Sequence, residues 1–231
     1  MIMTLSIPLI SCICITKDRP ELLQKAINCF KSQNYMNKEL VISFPKNDTS
    51  TKKIIAQEQH TTLKILSIER DEDVSLGEAR NQAIKKSNGE YVCTWDDDDW
   101  YHPSRISYQY NSIQNKGEGY QASILTRILL YDETNEEAYY SFNYAWEGTI
   151  LCRKVILLQN QYSHSNLGED SHVIRFLSSR KQLLLLDQAP FLYIYIHHGK
   201  NTWNYERFKF FMSNSERLKG EEKEQILNYL N

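Results

Sequence analysis

The sequence predicts an α/β fold, a Rossmann-like α/β/α sandwich with a mostly parallel central sheet and added mixed strands in its second half. Three observations carry that reading. Strand and helix signals alternate with short connections through the first hundred residues, the rhythm of right-handed βαβ units. The first strand signal, residues 9–16 (LISCICIT), is almost continuously apolar and β-branched, as burial on both faces requires. A chain of 231 residues with 41% apolar and 24% charged residues can bury a large core, and fits neither disorder nor a membrane-embedded chain.

Each element follows from local pattern. Pro20 sits where a first helical turn accepts it, and Asp18-x-x-Glu21 resembles a capping box. Leu22, Leu23, Ala26, Ile27 and Phe30 then recur at helical spacing, predicting a helix over 20–33. Residues 39–44 (ELVISF) are a second strand, 51–59 a second helix, and Leu63, Ile65 and Ile68 mark a third strand. Ser75-x-x-Glu78 opens a third helix that stops at Ser87-Asn88-Gly89. Residues 90–95 (EYVCTW) form a fourth strand running directly into Asp96-Asp97-Asp98-Asp99.

From residue 103 the rhythm changes. A helix over 103–115 leads to strand-like stretches at 121–131 and 139–146. Short helices follow at 153–159 and 170–181, strands at 183–187 and 191–197, and aromatic-basic helices at 203–213 and 221–230. No Pro/Gly/Ser linker separates the halves, so residues 1–231 are expected to form a single domain.

The formal net charge of −2 leaves no basic excess to hold a nucleic acid by its phosphates. No apolar run approaches the roughly 18 residues of a spanning helix, and MIMTLSIPLI lacks a signal peptide's basic start and cleavage site. Five cysteines, with only Cys12 and Cys14 close together, give neither zinc spacing nor a disulfide framework. A reduced, cytoplasmic setting is expected, at the inner face of a membrane if the acceptor is held there.

Trp95-Asp96-Asp97-Asp98-Asp99-Trp100 dominates the chemistry. Four adjacent carboxylates repel one another unless a cation or hydrogen-bond donors neutralise them. They stand just past a buried parallel strand, where open α/β sheets place ligands. Hard oxygen ligands suit Mg²⁺ or Mn²⁺ gripping a diphosphate. An EF-hand is excluded, because no Gly stands at the sixth loop position and no Glu at the twelfth. Gly117-Glu118-Gly119-Tyr120-Gln121-Ala122 matches a dinucleotide fingerprint formally, but it follows a helix and precedes a strand, the reverse of what that motif needs.

Strand 1 ending in Thr16-Lys17-Asp18-Arg19 resembles the opening of family 2 glycosyltransferases. Gly77-Glu78-Ala79-Arg80-Asn81, Asn88-Gly89-Glu90-Tyr91-Val92 and Trp95-Asp96-Asp97-Asp98-Asp99 are similar, in order, to that family's central block, with a shortened spacing from Gly77 to Ala79. Gly168-Glu169-Asp170 resembles its glutamate–aspartate motif, and His198 with Asn201 its later histidine segment.

The resemblance implies a GT-A fold, a nucleotide-diphosphate sugar donor (a UDP-sugar favoured), Mn²⁺ or Mg²⁺, and transfer with inversion. Residues 1–102 would bind the nucleotide sugar, 103–201 the acceptor, and 202–231 would be a helical tail. Thr16, Arg19, Asp96, Asp97 and Arg80 would contact the donor. Asp98 would ligate the metal, with Asp99 a second candidate, and Asp170, with Glu169 as the next candidate, would be the general base. At the end of the last strand, His197 and His198 could complete the metal's coordination or contact the diphosphate, or be partly buried polar residues with no such role. The family's acidic turn after strand 2 is replaced by Phe44-Pro45-Lys46-Asn47-Asp48, so Asp48 becomes the candidate to read the base.

Trp146 could stack on an acceptor sugar beside Glu147, or could simply be core; Tyr139, Tyr140 and Tyr144 are open in the same way. The acceptor expected is a glycan or lipid-linked glycan. The tail bearing Tyr205, Arg207, Phe208, Lys209, Phe210 and Phe211 either docks peripherally on a membrane or partner, or packs back on its own domain. Rival readings are a nucleotidyltransferase, which would want a glycine-rich loop after strand 1, and an inactive sugar-nucleotide or glycan-binding module.

Overall fold

The structure, a computed structural model, describes residues 7–58 and 62–230. Residues 1–6 of the amino-terminal stretch and residue 59 at the end of the expected second helix lie outside the described residues.

Double-sided burial shapes the first half. Strand β1 (Ile10–Ile15) alternates its side chains between two apolar layers. Ile10, Cys12 and Cys14 face one layer, and Ile13 the other. It is followed by α1 (Pro20–Ser32), β2 (Lys38–Pro45), α2 (Thr49–Glu58), β3 (Ile65–Arg70), α3 (Leu76–Lys86) and β4 (Tyr91–Thr94). The second half contains β5 (Trp100–Tyr101), α4 (Arg105–Lys116), β6 (Ala122–Leu125), β7 (Leu129–Asp132), β8 (Glu137–Tyr140), a 3-10 turn at Glu147–Thr149 and β9 (Leu151–Arg153). Then come α5 (Lys154–Gln159), α6 (Ser171–Ser179), β10 (Leu183–Leu186), β11 (Tyr193–His197), α7 (Tyr205–Ser213), β12 (Glu216–Arg217) and α8 (Gly220–Leu230).

A seven-stranded sheet runs β10-β6-β9-β4-β1-β2-β3, parallel except for β9. Leu23, Ile27 and Phe30 of α1 and Ile106 and Ile113 of α4 pack on one face. Ala83 and Ile84 of α3, Leu157 of α5 and Val173 and Leu177 of α6 cover the other, giving the α/β/α sandwich. A five-stranded sheet, β12-β8-β7-β11-β5, stands beside it.

Several local expectations change. The stretch at 121–131 is two strands in different sheets, β6 and β7, because the chain leaves the first sheet at Thr126. Ser141 marks the matching break after β8, where its hydroxyl accepts the Ile128 amide, so 141–146 is not strand. The two- or three-residue strands β5, β9 and β12 are too short for periodicity to reveal. Asp18 does not cap α1: it adopts a left-handed backbone (φ 51°), and Arg19 takes the cap position without a side-chain bond. Ser75 does cap α3, accepting the Glu78 amide. The five cysteines are all free. Among the described residues no helix is long and apolar enough to cross a membrane.

Gly77 opens α3 against the 163–170 loop, where an added Cβ would lie 1.9 Å from the Ser163 carbonyl oxygen. The clash is with backbone, so it cannot be relieved by turning a side chain. Gly77→Ala should therefore destabilise the fold by about 1–3 kcal/mol, the cost of overpacking. Thermal unfolding followed by circular dichroism checks this, and an unchanged midpoint would contradict the packing described.

Candidate active site

The turn between β4 and β5 divides the four aspartates. Asp97 and Asp99 point inward and are buried, while Asp96 and Asp98 are partly open towards a cleft of about 210 Å³. Each carboxylate has its own partners. Asp97 accepts from Thr16 Oγ1 at 2.6 Å and Arg19 Nη1 at 3.3 Å. Burial and the neighbouring Asp98 charge push its carboxyl up to about 6, against the pull of Thr16 and Arg19. Asp99 accepts the Tyr193 hydroxyl and the Ile196 amide, so both its oxygens are engaged with the second sheet. Burial and the adjacent aspartates hold it well above the ordinary carboxylate range. Asp96 takes Arg80 Nη2 at 2.7 Å.

Asp98 is different. Its Oδ2 meets Arg19 Nη1 at 3.1 Å and His198 Nε2 at 3.3 Å, so a cleft-lining carboxylate oxygen meets the nitrogen of an imidazole that is not itself part of the lining. Two neighbouring ligand atoms on an octahedral ion with bonds of about 2.1 Å stand roughly 3 Å apart, so this pair fits a shared Mg²⁺ or Mn²⁺. Among the described residues no three such groups converge, which leaves the remaining positions of such an ion to substrate and water. Asp99, also expected as a ligand, has no free oxygen to offer in this arrangement.

Arg80, on α3, is the buried hub of the site. Nη1 reaches Glu169 at 2.6 Å and Asp170 at 3.9 Å, and Nη2 holds Asp96. Burial alone would lower its pKa, but the three carboxylates outweigh that and keep it firmly charged. Asp170 stands at the N-cap of α6 yet makes no side-chain cap bond, so its carboxyl is left to the cleft. Burial pushes it up to about 6, opposed by Arg80 and reinforced by Glu147. Glu147 also accepts the Ser171 hydroxyl at 3.0 Å. Trp146, 7% exposed, meets Phe211 edge-on at 4.9 Å and has an indole Nε1 with no partner among the described residues.

Arg19, Arg80, the four aspartates, Trp146, Glu147, Glu169 and Asp170 therefore share one cleft. Thr16 lies behind Asp97, and His198 behind Asp98. Asp48 is elsewhere in role. Four donors saturate it: the Thr51 amide and hydroxyl, the Ser50 hydroxyl and the Asp18 amide. It lies outside the cleft lining and holds the β2–α2 turn, so the base-reading role expected of it is not what this geometry gives. Tyr193, Tyr195, Trp203 and Arg207 line the cleft without any sequence signal that singled them out for it. The tail packs back through Phe208 and Phe211, both buried, while Phe210 is exposed.

Residues 11–177 match the family described as Glycosyl transferase family 2. The chain belongs to that family. It is 37% identical over 103 residues to a putative colanic acid biosynthesis glycosyl transferase, WcaA, of Escherichia coli, covering 43% of this chain and 36% of the relative. The curated relatives it matches are longer, and the matched regions span between 27% and 38% of their lengths. The fold is similar to that of S. aureus TarS 1-349 in complex with UDP-GlcNAc, with a TM-score of 0.65, 17% identity, and 96% of this chain and 71% of that one covered. It is also similar to a mannosyltransferase from Pyrobaculum calidifontis in complex with GDP-Man and Mn²⁺, with a TM-score of 0.63, 14% identity, and 82% and 56% covered. The fold is GT-A.

Asp48 gives a pH-dependent prediction for this family 2 chain. Burial raises its pKa, but the hydrogen bonds it accepts outweigh burial and bring it down to about 2. A depressed folded-state value means stabilisation that is complete above the unfolded value and lost as pH falls through the folded one. Asp48→Ala should cost about 1 kcal/mol near neutral pH, as loss of a cap does. The gap to wild type should close between the ordinary aspartate range and about pH 2. Urea unfolding across pH checks it; a gap independent of pH would contradict the assignment.

Proposed function

We propose that the protein transfers a sugar from a nucleoside-diphosphate sugar to an acceptor hydroxyl, in a single displacement that inverts the anomeric carbon. Asp170 is the observation that carries the reading. It is a carboxyl at a helix start that caps nothing, lines the same cleft as the acid cluster, and is pushed by burial up to about 6. Such a group is ionised near neutral pH yet basic enough to take a proton.

The donor's diphosphate belongs at the Asp98 end, where a divalent ion held by Asp98 and His198 would neutralise the charge growing on the leaving group. Support comes from the Mn²⁺ and GDP-Man in the mannosyltransferase and from the UDP-GlcNAc in TarS. Thr16 and Arg19 set the position of Asp97, and Asp96 offers its cleft-facing oxygen to a ribose or sugar hydroxyl. Arg80 holds Asp96 and Glu169 in place and keeps the Asp170 carboxylate oriented. Trp146 and Glu147 receive the acceptor, whose hydroxyl gives its proton to Asp170 as its oxygen bonds to the anomeric carbon. The bond from that carbon to the diphosphate breaks in the same step. Residues 1–102 would thus serve mainly the donor, and 103–201 mainly the acceptor. The colanic acid relative's name suggests a surface or secreted glycan as the product.

Asp170→Asn should keep the fold and the affinity for nucleoside diphosphate with Mn²⁺, while turnover falls by about two to four orders of magnitude. Donor hydrolysis by water serves as the assay. Wild-type rate should rise with pH and level off above about pH 6, because only the ionised carboxylate accepts a proton. Near-normal turnover in the variant would reject Asp170 as the base and turn attention to Glu169. Asp98→Ala should abolish the Mn²⁺ dependence of nucleotide binding measured by calorimetry, and an unchanged dependence would remove Asp98 from the metal site.

A further inference from the structure

The cleft is strongly acidic. Seven carboxylates line it against three arginines, Arg19, Arg80 and Arg207. Arg19 is paired with Asp97 and Asp98, and Arg80 with Asp96 and Glu169. Arg207 has no such partner. Among the described residues its guanidinium makes no ion pair and no hydrogen bond, and its Nε is buried without an acceptor. It is nonetheless held in place. The Trp203 ring lies 5.1 Å from the guanidinium carbon and the Phe211 ring 5.0 Å away, so two aromatic rings flank the fork.

Its place in the cleft points to the acceptor. Phe211 touches Trp146, and Trp146 precedes Glu147, which in turn holds Ser171 beside Asp170. Arg207 therefore continues the wall that receives the attacking hydroxyl. A neutral acceptor's hydroxyls could accept from the guanidinium, but only an oxyanion would also neutralise its charge. An anionic acceptor beside Glu147 and Asp170 would meet their charge unless a cation stood there to offset it. A rigid guanidinium plane offers paired N–H donors matched to the two oxygens of a carboxylate or phosphate.

We propose that Arg207 is a specificity-determining residue that reads an oxyanion on the acceptor, so that the acceptor is an acidic sugar or sugar phosphate. The inference rests on the glycosyltransferase reading above and narrows its acceptor class. Arg207 acts through binding and takes no part in the displacement itself.

The test uses the full chain with UDP and Mn²⁺ and measures binding by saturation-transfer NMR and calorimetry. The probes are methyl glucuronide, methyl galacturonide and glucose 6-phosphate, each against its neutral counterpart; the carboxylate and phosphate arms distinguish the two oxyanions. Wild type should favour at least one acidic probe by about tenfold, the size of a charge-assisted hydrogen bond. Arg207→Gln should erase that preference, and Arg207→Lys should restore part of it. UDP affinity and the melting temperature should change little in either variant. Equal binding of acidic and neutral probes by wild type, or a preference that survives Arg207→Gln, would overturn the proposal. Loss of UDP affinity in Arg207→Gln would also overturn it, by assigning the residue to the donor's diphosphate. Failure of wild type to bind any nucleoside diphosphate would instead bring down the glycosyltransferase reading, and the inference with it.

Discussion

The site depends on one buried guanidinium. Arg80 carries its charge into a setting where an unpaired ion would cost several kcal/mol, and is tolerated because Asp96, Glu169 and Asp170 surround it. The dependence is mutual, since three carboxylates this close, two of them buried, would otherwise repel one another. The contacts span 16 to 89 residues of sequence, joining the tip of β4, the start of α3 and the loop before α6. Gly77 makes the junction possible. One turn before Arg80, it lets the helix approach the loop that carries Glu169 more closely than any side chain would allow.

The same economy governs the acid cluster. Four carboxylates in a row are tolerable because the turn between β4 and β5 sends successive side chains to different partners. Asp97 turns back to Thr16 and Arg19 at the end of β1, and Asp99 reaches into the second sheet at Tyr193 and Ile196. Arg19 extends the link by donating to the Lys200 carbonyl at 2.7 Å, so the first sheet and the segment after β11 close on the cleft together. Behind the cluster, Arg105 is fully buried beneath Trp95, Tyr101 and Tyr193, a positive charge facing three ring systems next to the densest negative charge of the protein.

These arrangements leave two carboxylates free for chemistry. Asp98 keeps an oxygen at the cleft wall shared only with cationic or imidazole groups, and Asp170 is released from the capping duty that its position would normally impose. The metal and proton-transfer roles proposed above for Asp98 and Asp170 rest on this difference, and Arg80 ties Asp170 and Glu169 to Asp96.

Much of this was legible in the sequence. The apolar run at 9–16, the Ser75 cap and the strand leading into Asp96–Asp99 are local signals, and local backbone preference and periodicity are enough to place them. The sequence alone therefore determined the βαβ half, the location of the acids at a strand tip and membership of a resembling family. The tertiary structure decided what each acid does. Asp48 and Asp170 both sit at helix starts and look equivalent in sequence, but four nearby donors consume Asp48, while Asp170 meets Arg80 from a helix 90 residues earlier. Asp98 and Asp99 are neighbours, yet only one keeps a free oxygen, because β11 pairs with β5 and brings Tyr193 and Ile196 to the other. Partner identity across such separations depends on strand pairing and helix packing, and no local pattern in the chain encodes it.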